Sequence, residues 1–412
     1  MQKKNKKIQT PKGMHDLLPP ESRKMLSFFD IAKELAENFG FNFIETPIIE
    51  EEDLFIRTVG KKTDIVGKEM FYLQGKKYVL RPEGTAPVVR AYIENGLFSL
   101  SQPQRFFYLE KMFRKEKPQK LRFREHYQFG VEILGSEDPF YDVYIVNFFY
   151  ELFKLLKINV IFFINSIGCL ICRGKIKDKI KSFYRPYINN LCQDCKKRYK
   201  DNPLRLLDCK RDIDITESAP EIIDYLCDEC KEHFEKVLEL LEELNFPYQI
   251  QNNIVRGLDY YNRTVFEIFS EKETLALGGG GRYDNLSLFL SKRKIGGVGG
   301  AIGVERVLSL WQNYKIEKND IGLVTVGSKA RIYMLKIANE ITKNGFRVID
   351  AFGKGSLKQQ LDYINSLNIK YCLLAGEVEV EGEKVIFKNF ENGLQEEIYL
   401  KFLIKELKRK IK

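Results

Sequence analysis

The runs RFFYLEKMFR (residues 105–114) and RFREHYQFGVEIL (residues 122–134) flank the basic loop KEKPQKL (residues 115–121) and decide the fold of the chain. Both runs are rich in aromatic and β-branched residues, which predicts an antiparallel strand pair with a long charged loop. Side chains two and four residues apart on a strand share a face. We therefore expect Gln128 and Glu132 to point into one cleft, with Gly130 leaving room for a ligand.

The surrounding sequence extends this pair into an α+β domain. Helical periodicity is present over residues 21–39, 141–156 and 234–244, and strand-like runs cover residues 254–270 and 274–277. The segment 166–233 interrupts this pattern and is predicted to be an insertion. From about residue 320 the pattern changes to β-α-β-α-β, which is typical of a parallel sheet covered by helices. A hairpin over residues 377–390 and a terminal helix are predicted to follow.

Composition excludes several classes of protein. With 44% hydrophobic residues the chain is neither fibrous nor disordered, and its formal net charge of +10 is compatible with a polyanionic partner such as RNA. Its most apolar stretch, residues 144–172, contains charged residues, whereas a membrane span needs about 20 apolar ones. The basic start of the chain is not followed by an apolar segment, so a signal peptide is not predicted. We expect a cytoplasmic protein with no membrane partner.

Seven of the eight cysteines lie between Cys169 and Cys230. Paired C-x-x-C motifs in a reducing compartment favour a structural zinc site over disulfides. The first two pairs are the predicted ligands, and the later cysteines compete with them: Cys169, Cys172, Cys192 and Cys195, against Cys209, Cys227 and Cys230. The alternative is a set of buried thiols without metal, because cysteine is among the most buried residue types.

Phosphate loops, zinc-protease motifs and hydrolase motifs are absent from the sequence, so any chemistry must depend on Arg, Glu, Tyr and backbone groups. Five segments stand out, and arginines recur among them beside carboxylates and strand-forming residues. One reading is surface ion pairs on a twisted sheet, but five such segments together favour a site. They are RPEGT (81–85), MFRKE (112–116), YQFGVE (127–132), RGLDYY (256–261) and GVER (303–306).

These segments resemble those of histidyl-tRNA synthetases. The opening TPKGMHDLLP (10–19) is similar to the start of that family, and TDIVGKEM (63–70) leads into RPEGT as it does there. Residues 113–120 resemble class II motif 2, and the run ending in Glu305-Arg306 resembles motif 3. RGLDYY and GGGRYD (279–284) are similar to the pair that distinguishes histidine enzymes from other class II synthetases.

The resemblance implies a histidine–tRNA ligase that forms histidyl-adenylate from ATP and then charges tRNA(His). Negative charge spreads over phosphate oxygens during activation, and arginine binds such oxygens bidentately. By resemblance, Arg114 holds the α-phosphate, Arg306 the γ-phosphate, and Arg256 the other side of the α-phosphate. Glu116 is expected near the adenine, and Mg²⁺ on the β- and γ-phosphates.

The same resemblance implies a polar histidine pocket and an acceptor-end contact. Its pocket residues would be Glu83, Thr85, Gln128, Glu132, Arg256, Tyr260, Tyr261 and Tyr283. Gln119 and Arg124 match positions in bacterial relatives that read the extra 5′ guanosine of their tRNA. Three residues depart from the family pattern: Leu121 replaces a usual glycine, His126 a usual phenylalanine, and Gly300 a common phenylalanine. The sequence names no base for the transfer step.

The implied architecture is a class II antiparallel-sheet catalytic domain with an inserted small domain, followed by an α/β anticodon-binding domain. The predicted bounds are 1–165 and 234–315 for the catalytic domain, 166–233 for the insertion and 320–412 for the anticodon-binding domain. A homodimer is implied, because motif 1 builds a dimer interface in this class. The alternatives are a regulatory paralogue of these synthetases, a synthetase for another amino acid, and an RNA-binding module.

Overall fold

The structure is a computed structural model that describes residues 7–60, 63, 65–75, 77–255, 258–271, 276–312, 314 and 320–411. The chain divides into two compact units, Met1–Tyr314 and Lys315–Lys412. No helix within the described ranges is both long and apolar enough to cross a bilayer.

The described strands are β1 (Asn42–Phe43), β2 (Ile49–Glu51), β3 (Phe71–Tyr72), β4 (Tyr78–Leu80), β5 (Gln104–Phe113), β6 (Glu125–Leu134), β7 (Val160–Ser166), β8 (Tyr248–Ile250), β9 (Asn262–Ser270), β10 (Ala276–Arg282), β11 (Gly297–Gly303), β12 (Asp320–Thr325), β13 (Arg347–Asp350), β14 (Tyr371–Ala375), β15 (Lys384–Asn389) and β16 (Gln395–Tyr399). The described α-helices are α1 (Glu21–Asn38), α2 (Glu52–Phe55), α3 (Thr85–Glu94), α4 (Phe140–Leu155), α5 (Leu170–Tyr184), α6 (Gln193–Asp201), α7 (Ile213–Thr216), α8 (Asp228–Glu243), α9 (Leu286–Leu290), α10 (Val304–Leu310), α11 (Ser328–Lys343), α12 (Leu357–Ser366), α13 (Glu377–Glu381) and α14 (Leu403–Lys410).

An eight-stranded sheet in the order β1-β5-β6-β11-β10-β9-β7-β8 organises the first unit. Its inner pairs are antiparallel, and the predicted β5–β6 pair is confirmed, with Tyr108 opposite Gly130. Alternation along β6 sends Phe129, Val131 and Ile133 into a core formed with α1, α4, α8 and α10. The residues between them face the opposite side of the sheet, where the site lies.

The segment between β7 and α8 has a hydrophobic cluster largely its own, built from α5, α6 and neighbouring turns. Ile176, Ile180, Tyr184 and Leu206 are fully buried there. A separate cluster of this kind is what a small inserted domain requires, because each domain needs its own core.

The second unit contains a five-stranded sheet in the order β13-β12-β14-β15-β16, in which the first three strands are parallel. This confirms the predicted β-α-β-α-β pattern. The predicted hairpin over 377–390 is wrong in its first part, because Glu377–Glu381 forms helix α13 and the hairpin is β15–β16. Glu379 accepts a hydrogen bond from the Gly376 N–H (2.7 Å), and this cap outweighs the strand-like alternation of EVEVE.

Candidate active site

A cavity of about 430 Å³ opens on the sheet face opposite the α1–α4 core, and it is lined by several basic side chains. Of the residues predicted to bind ATP, Arg114, Glu116 and Arg306 all line it, and Gln128 lines it from β6. Arg114 directly follows β5, and Arg306 lies in the first turn of α10, directly after β11. The ends of β5 and β11, which flank β6 in the sheet, therefore bring these arginines together. Arg122 also lines the cavity, and sequence reasoning did not single it out.

Arg306 is held without a carboxylate partner among the described residues. Its guanidinium donates to the carbonyls of Leu121 (3.3 Å) and Ala276 (2.6 Å). Burial, and then repulsion from Arg122 and Arg114, lowers the pKa of Arg306 to about 10. The guanidinium remains protonated at neutral pH, so Arg306, Arg114 and Arg122 form a local group of positive charge of the kind that a polyphosphate neutralises.

Backbone geometry fixes the other side of this cavity. Arg114 donates to the Pro82 carbonyl (2.8 Å), which anchors it beside the RPEGT segment. Leu121 adopts a left-handed conformation with φ of 58°, a region that favours glycine, and its carbonyl accepts from Arg306. The left-handed backbone at position 121 thus explains why glycine is usual there in the family. Burial, with Arg114 and Arg306, lowers the pKa of His126 to about 3, so this side chain is neutral.

Next to the cavity, two buried carboxylates form a closed polar cluster. Glu83 accepts hydrogen bonds from the backbone N–H groups of Thr85 (2.8 Å) and Ala86 (2.9 Å) at the start of α3. The Thr85 hydroxyl donates to Glu132 (2.7 Å), and the Tyr283 hydroxyl donates to the other oxygen of the same carboxylate. Burial raises the pKa of Glu132 to about 8 and raises that of Glu83, in each case against these hydrogen bonds.

Tyrosine rings complete this cluster. Tyr260 donates to Glu83 (3.3 Å), and its ring lies 4.7 Å from that of Tyr261 and 5.9 Å from that of Tyr283. The structure thus brings Glu83, Thr85, Glu132 and the three predicted tyrosines together, whereas Gln128 lines the adjoining cavity and Arg256 lies outside the described residues. Glu83, Glu132 and the three tyrosines are almost completely buried and adjoin the cavity rather than line it.

Tyr108 is a further member that sequence reasoning missed. Its ring lies against Gly84 and Gly130, where a Cβ atom on either glycine would collide with it. The expectation that Gly130 leaves room for a ligand is therefore wrong in detail, because the partner strand fills that space with Tyr108. The cross-strand pairing of Tyr108 with Gly130 was the only sequence signal that could have found it.

Below this cluster, a second buried arginine has the opposite surroundings. Arg282, fully buried at the end of β10, donates to Asp142 (3.0 Å) and to Asp284 (3.0 Å). Burial alone would lower the pKa of Arg282, but Asp142 and Asp284 raise it above its ordinary value. Asn262 donates to Asp284 (2.9 Å), so the network joins β9, β10 and α4. The GGGRYD segment thus has a structural arginine and a site tyrosine side by side.

The basic loop between β5 and β6 folds back on itself. Gln119 and Arg122 exchange two backbone hydrogen bonds at its tip, which exposes the Gln119 side chain. The Arg124 guanidinium donates to the carbonyls of Glu116 (3.0 Å) and Lys12 (3.4 Å). Arg124 therefore stabilises the loop backbone in this structure.

The cysteines form two separate groups, and the predicted quartet is wrong in its membership. Cluster 1 consists of Cys169, Cys172, Cys227 and Cys230, and cluster 2 of Cys192, Cys195, Cys209 and Asp212. In each cluster the candidate ligand atoms all lie within 4.8 Å of one another. Sequence spacing could not choose among the pairs, because helices α5 and α8, distant in sequence, converge at cluster 1.

An antiparallel sheet with helices on one face, an arginine-lined cavity on the other and an appended α/β unit defines a class II aminoacyl-tRNA synthetase. Residues 13–166 and 186–307 match the family model described as Histidyl-tRNA synthetase, and residues 320–410 match that described as Anticodon binding domain. The chain belongs to the histidyl-tRNA synthetase family. Its enzymatic class is accordingly that of a histidine–tRNA ligase.

Known proteins similar to the chain cover nearly its full length. The histidine–tRNA ligase of Acetivibrio thermocellus is 42% identical over 97% of this chain and 99% of that protein. That of Caldanaerobacter subterraneus subsp. tengcongensis is 41% identical over 98% of this chain and 99% of that protein. The crystal structure of apo S. aureus histidyl-tRNA synthetase superposes with a TM-score of 0.80 at 31% identity, covering 98% of this chain and 100% of that chain.

Proposed function

We propose that the chain activates L-histidine with ATP to give histidyl-adenylate and pyrophosphate, and then transfers histidine to the 3′ end of tRNA(His). The proposal rests on one observation: the arginine-lined cavity and the buried cluster of carboxyl groups and tyrosines adjoin each other on the same face of the sheet. A cavity in which Arg114 and Arg306 have no carboxylate partner among the described residues suits the triphosphate, and the adjoining cluster of buried carboxyl groups and tyrosines suits the ammonium group and the imidazole of a small amino acid.

In the ATP half of the site, Arg114 binds the α-phosphate, Arg306 binds the γ-phosphate, and Glu116 lies near the adenine. A guanidinium with only carbonyl acceptors can exchange one of them for a phosphate oxygen without leaving a carboxylate unpaired. Mg²⁺ bound to the β- and γ-oxygens would neutralise further charge. Arg256 is proposed to approach the α-phosphate and the histidine carboxylate from the other side.

In the histidine half, Glu83, Thr85 and Gln128 bind the amino acid with Glu132. The imidazole lies among Tyr260, Tyr261 and Tyr283, whose rings form an apolar wall with polar hydroxyls. An analogue that lacks the ring nitrogens would leave buried polar groups unpaired, and this is the basis of selectivity.

Contacts with tRNA are proposed for three parts of the chain. Gln119 and Arg124 contact the acceptor end, the insertion (166–233) contacts the acceptor arm, and the domain 320–412 reads the anticodon. The catalytic domain would then consist of residues 1–165 and 234–315. The side chain of Gln119 is exposed at the loop tip, where it is free to meet a base edge.

Assembly as a cytoplasmic homodimer is proposed from family membership and from one surface. The strands β2, β3 and β4 expose Ile49, Tyr72 and Tyr78, with Phe43 and Ile48 nearby in the sequence. Exposed apolar side chains grouped on one small sheet are typical of an interface. The insertion is proposed to contain structural zinc, because grouped cysteines provide its preferred ligands.

The test is histidine-dependent exchange of labelled pyrophosphate into ATP, with the other amino acids as controls. Wild-type protein should exchange with histidine alone, and the Arg256→Ala variant should lose exchange while keeping its fold. Absence of exchange from folded protein would refute the activation step. Exchange with a different amino acid would refute the assignment of the pocket.

A further inference from the structure

Each C-x-x-C pair of the insertion begins a helix. Cys169, Cys192 and Cys227 are the N-cap residues of α5, α6 and α8, and the second cysteine of each pair lies three residues further on. A helix N-terminus stabilises negative charge and lowers the cost of a thiolate. Cluster 1 lies where α5 and α8 begin, so two helix N-termini converge on its four sulfur atoms.

The spacing of the sulfur atoms fits one ion in each cluster. The Sγ atom of Cys169 lies 3.7 Å from that of Cys172 and 3.9 Å from that of Cys227. In cluster 2, the Sγ atoms of Cys192 and Cys209 are 3.8 Å apart. Four sulfurs at about 2.3 Å from one tetrahedral zinc ion lie about 3.8 Å from one another, which matches these separations.

Backbone N–H groups donate hydrogen bonds to cysteine sulfur atoms in both clusters, and such bonds stabilise thiolates. The Cys227 N–H donates to Cys172 Sγ (3.1 Å), and the Cys195 N–H donates to Cys192 Sγ (3.5 Å). Asp212 accepts from the Cys192 N–H (3.2 Å), which orients its carboxylate towards the three sulfurs of cluster 2. Soft thiolates with one carboxylate favour zinc among the common divalent ions.

Both clusters are connected to the active site through the helices that they begin. Arg173, directly after Cys172, donates to the carbonyls of Asp259 (3.0 Å) and Tyr261. Asn202, at the far end of α6, donates to the Asp259 carboxylate (2.9 Å). The segment 258–261 carries two of the three tyrosines of the histidine pocket, Tyr260 and Tyr261, so the insertion holds that part of the pocket wall from outside.

We propose that the insertion binds two zinc ions, one in cluster 1 and one in cluster 2, and that these ions fix α5 and α6 so that Arg173 and Asn202 hold segment 258–261. Cluster 1 has four thiolates, and cluster 2 has three thiolates and one carboxylate. The effect on the histidine pocket depends on the proposed function, whereas the two zinc sites do not.

Elemental analysis of untagged protein tests the sites directly. Wild-type protein should contain two zinc ions per chain, and Cys227→Ser and Cys209→Ser should each contain one. The matched control is Cys372→Ala, which removes a buried cysteine of the other unit and should keep two. Should the cysteine variants fail to fold, X-ray absorption of the wild type should give about 3.5 sulfur ligands per zinc at about 2.3 Å. One zinc or none in the wild type, iron in place of zinc, or two ions in Cys209→Ser would overturn the proposal.

Pyrophosphate exchange tests the connection to the site. Arg173→Met should keep both ions and raise the KM for histidine about tenfold or more, with the KM for ATP within about twofold of wild type, because the variant loses two charge-assisted hydrogen bonds to segment 258–261 and even one is typically worth about a factor of ten. Cys227→Ser should raise the same KM. An unchanged KM for histidine in both variants would refute the connection. Two zinc ions in a wild type without exchange would leave the sites standing and refute the proposed function instead.

Discussion

Two arginines with opposite surroundings, the half-buried Arg306 and the fully buried Arg282, allow binding and stability to be separated. Arg306 faces Arg114 and Arg122 in the cavity, whereas Arg282 is enclosed by Asp142 and Asp284. We predict that Arg306→Met abolishes most activity with little effect on folding. The Arg282→Met variant should instead lose stability, and it should unfold at a much lower temperature or denaturant concentration than wild type.

The magnitudes follow from the same contacts. A lowering of the Arg306 pKa from 12.5 to about 10 corresponds to roughly 3 kcal/mol against keeping this charge in the folded chain. The Arg306→Met variant no longer has this unfavourable charge. It also loses the two hydrogen bonds to carbonyls, worth about 1 kcal/mol each, and some packing. The free energy of unfolding of the first unit should therefore change by no more than about 1 kcal/mol.

Loss of a bidentate phosphate contact costs about 3 kcal/mol, so kcat/KM for ATP should fall on the order of 100-fold. Arg282→Met removes the charge that neutralises two buried carboxylates, which keep only the side chains of His233 beside Asp142 and Asn262 beside Asp284, and it should destabilise the fold by about 3–5 kcal/mol. Pyrophosphate exchange and thermal unfolding of the ligand-free variants measure both quantities. If Arg306→Met is strongly destabilised, or if it binds ATP as the wild type does, then Arg306 is not the ATP-binding arginine inferred from its surroundings.

Two other side chains give predictions of a different kind. Because burial raises the pKa of Glu132 from 4.5 to about 8, its contribution to stability is full below pH 4.5 and is lost as the pH rises to 8. Glu132→Gln should therefore gain stability relative to wild type across this range, by as much as about 4 kcal/mol, in thermal unfolding at a series of pH values. Gly130→Ala should lower the free energy of unfolding in urea by about 1–3 kcal/mol, because the added methyl group collides with the Tyr108 ring. Replacing Tyr108 with leucine in the same chain should recover part of that loss.

Each of these has a clear contrary result. A constant difference in melting temperature between wild type and Glu132→Gln from pH 5 to pH 8 would mean that this carboxyl does not titrate there. A Gly130→Ala variant as stable as wild type would show that the ring of Tyr108 can move aside without cost.

Strand-forming composition predicted the β5–β6 pair at the centre of the site, and period-two alternation predicted which of its side chains share a face. It placed Gln128 and Glu132 on the face opposite Phe129 and Val131, and the structure confirms that division. The resemblance to a family then named residues that alternation cannot rank, such as Thr85, and the structure groups it with Glu132.

What the sequence could not give depends on contacts between distant segments. Tyr108 was missed because its position is fixed by pairing across strands, and the partners of Arg282 because Asp142 lies on a helix 140 residues away. The cysteine ligands were misgrouped for the same reason. The C-x-x-C spacing shows which two cysteines of a pair lie close together. It does not show which pairs meet, because that depends on how the starts of α5 and α8 pack in the folded insertion.

The proposed activity is tested most directly by charging of a tRNA(His) transcript with labelled histidine by the wild type and by Arg114→Ala. The wild type should give stable histidyl-tRNA and no product with the other amino acids, and charging by the variant should fall on the order of 100-fold, since one phosphate contact is removed. Charging with a different amino acid, or equal charging by the variant, would contradict it.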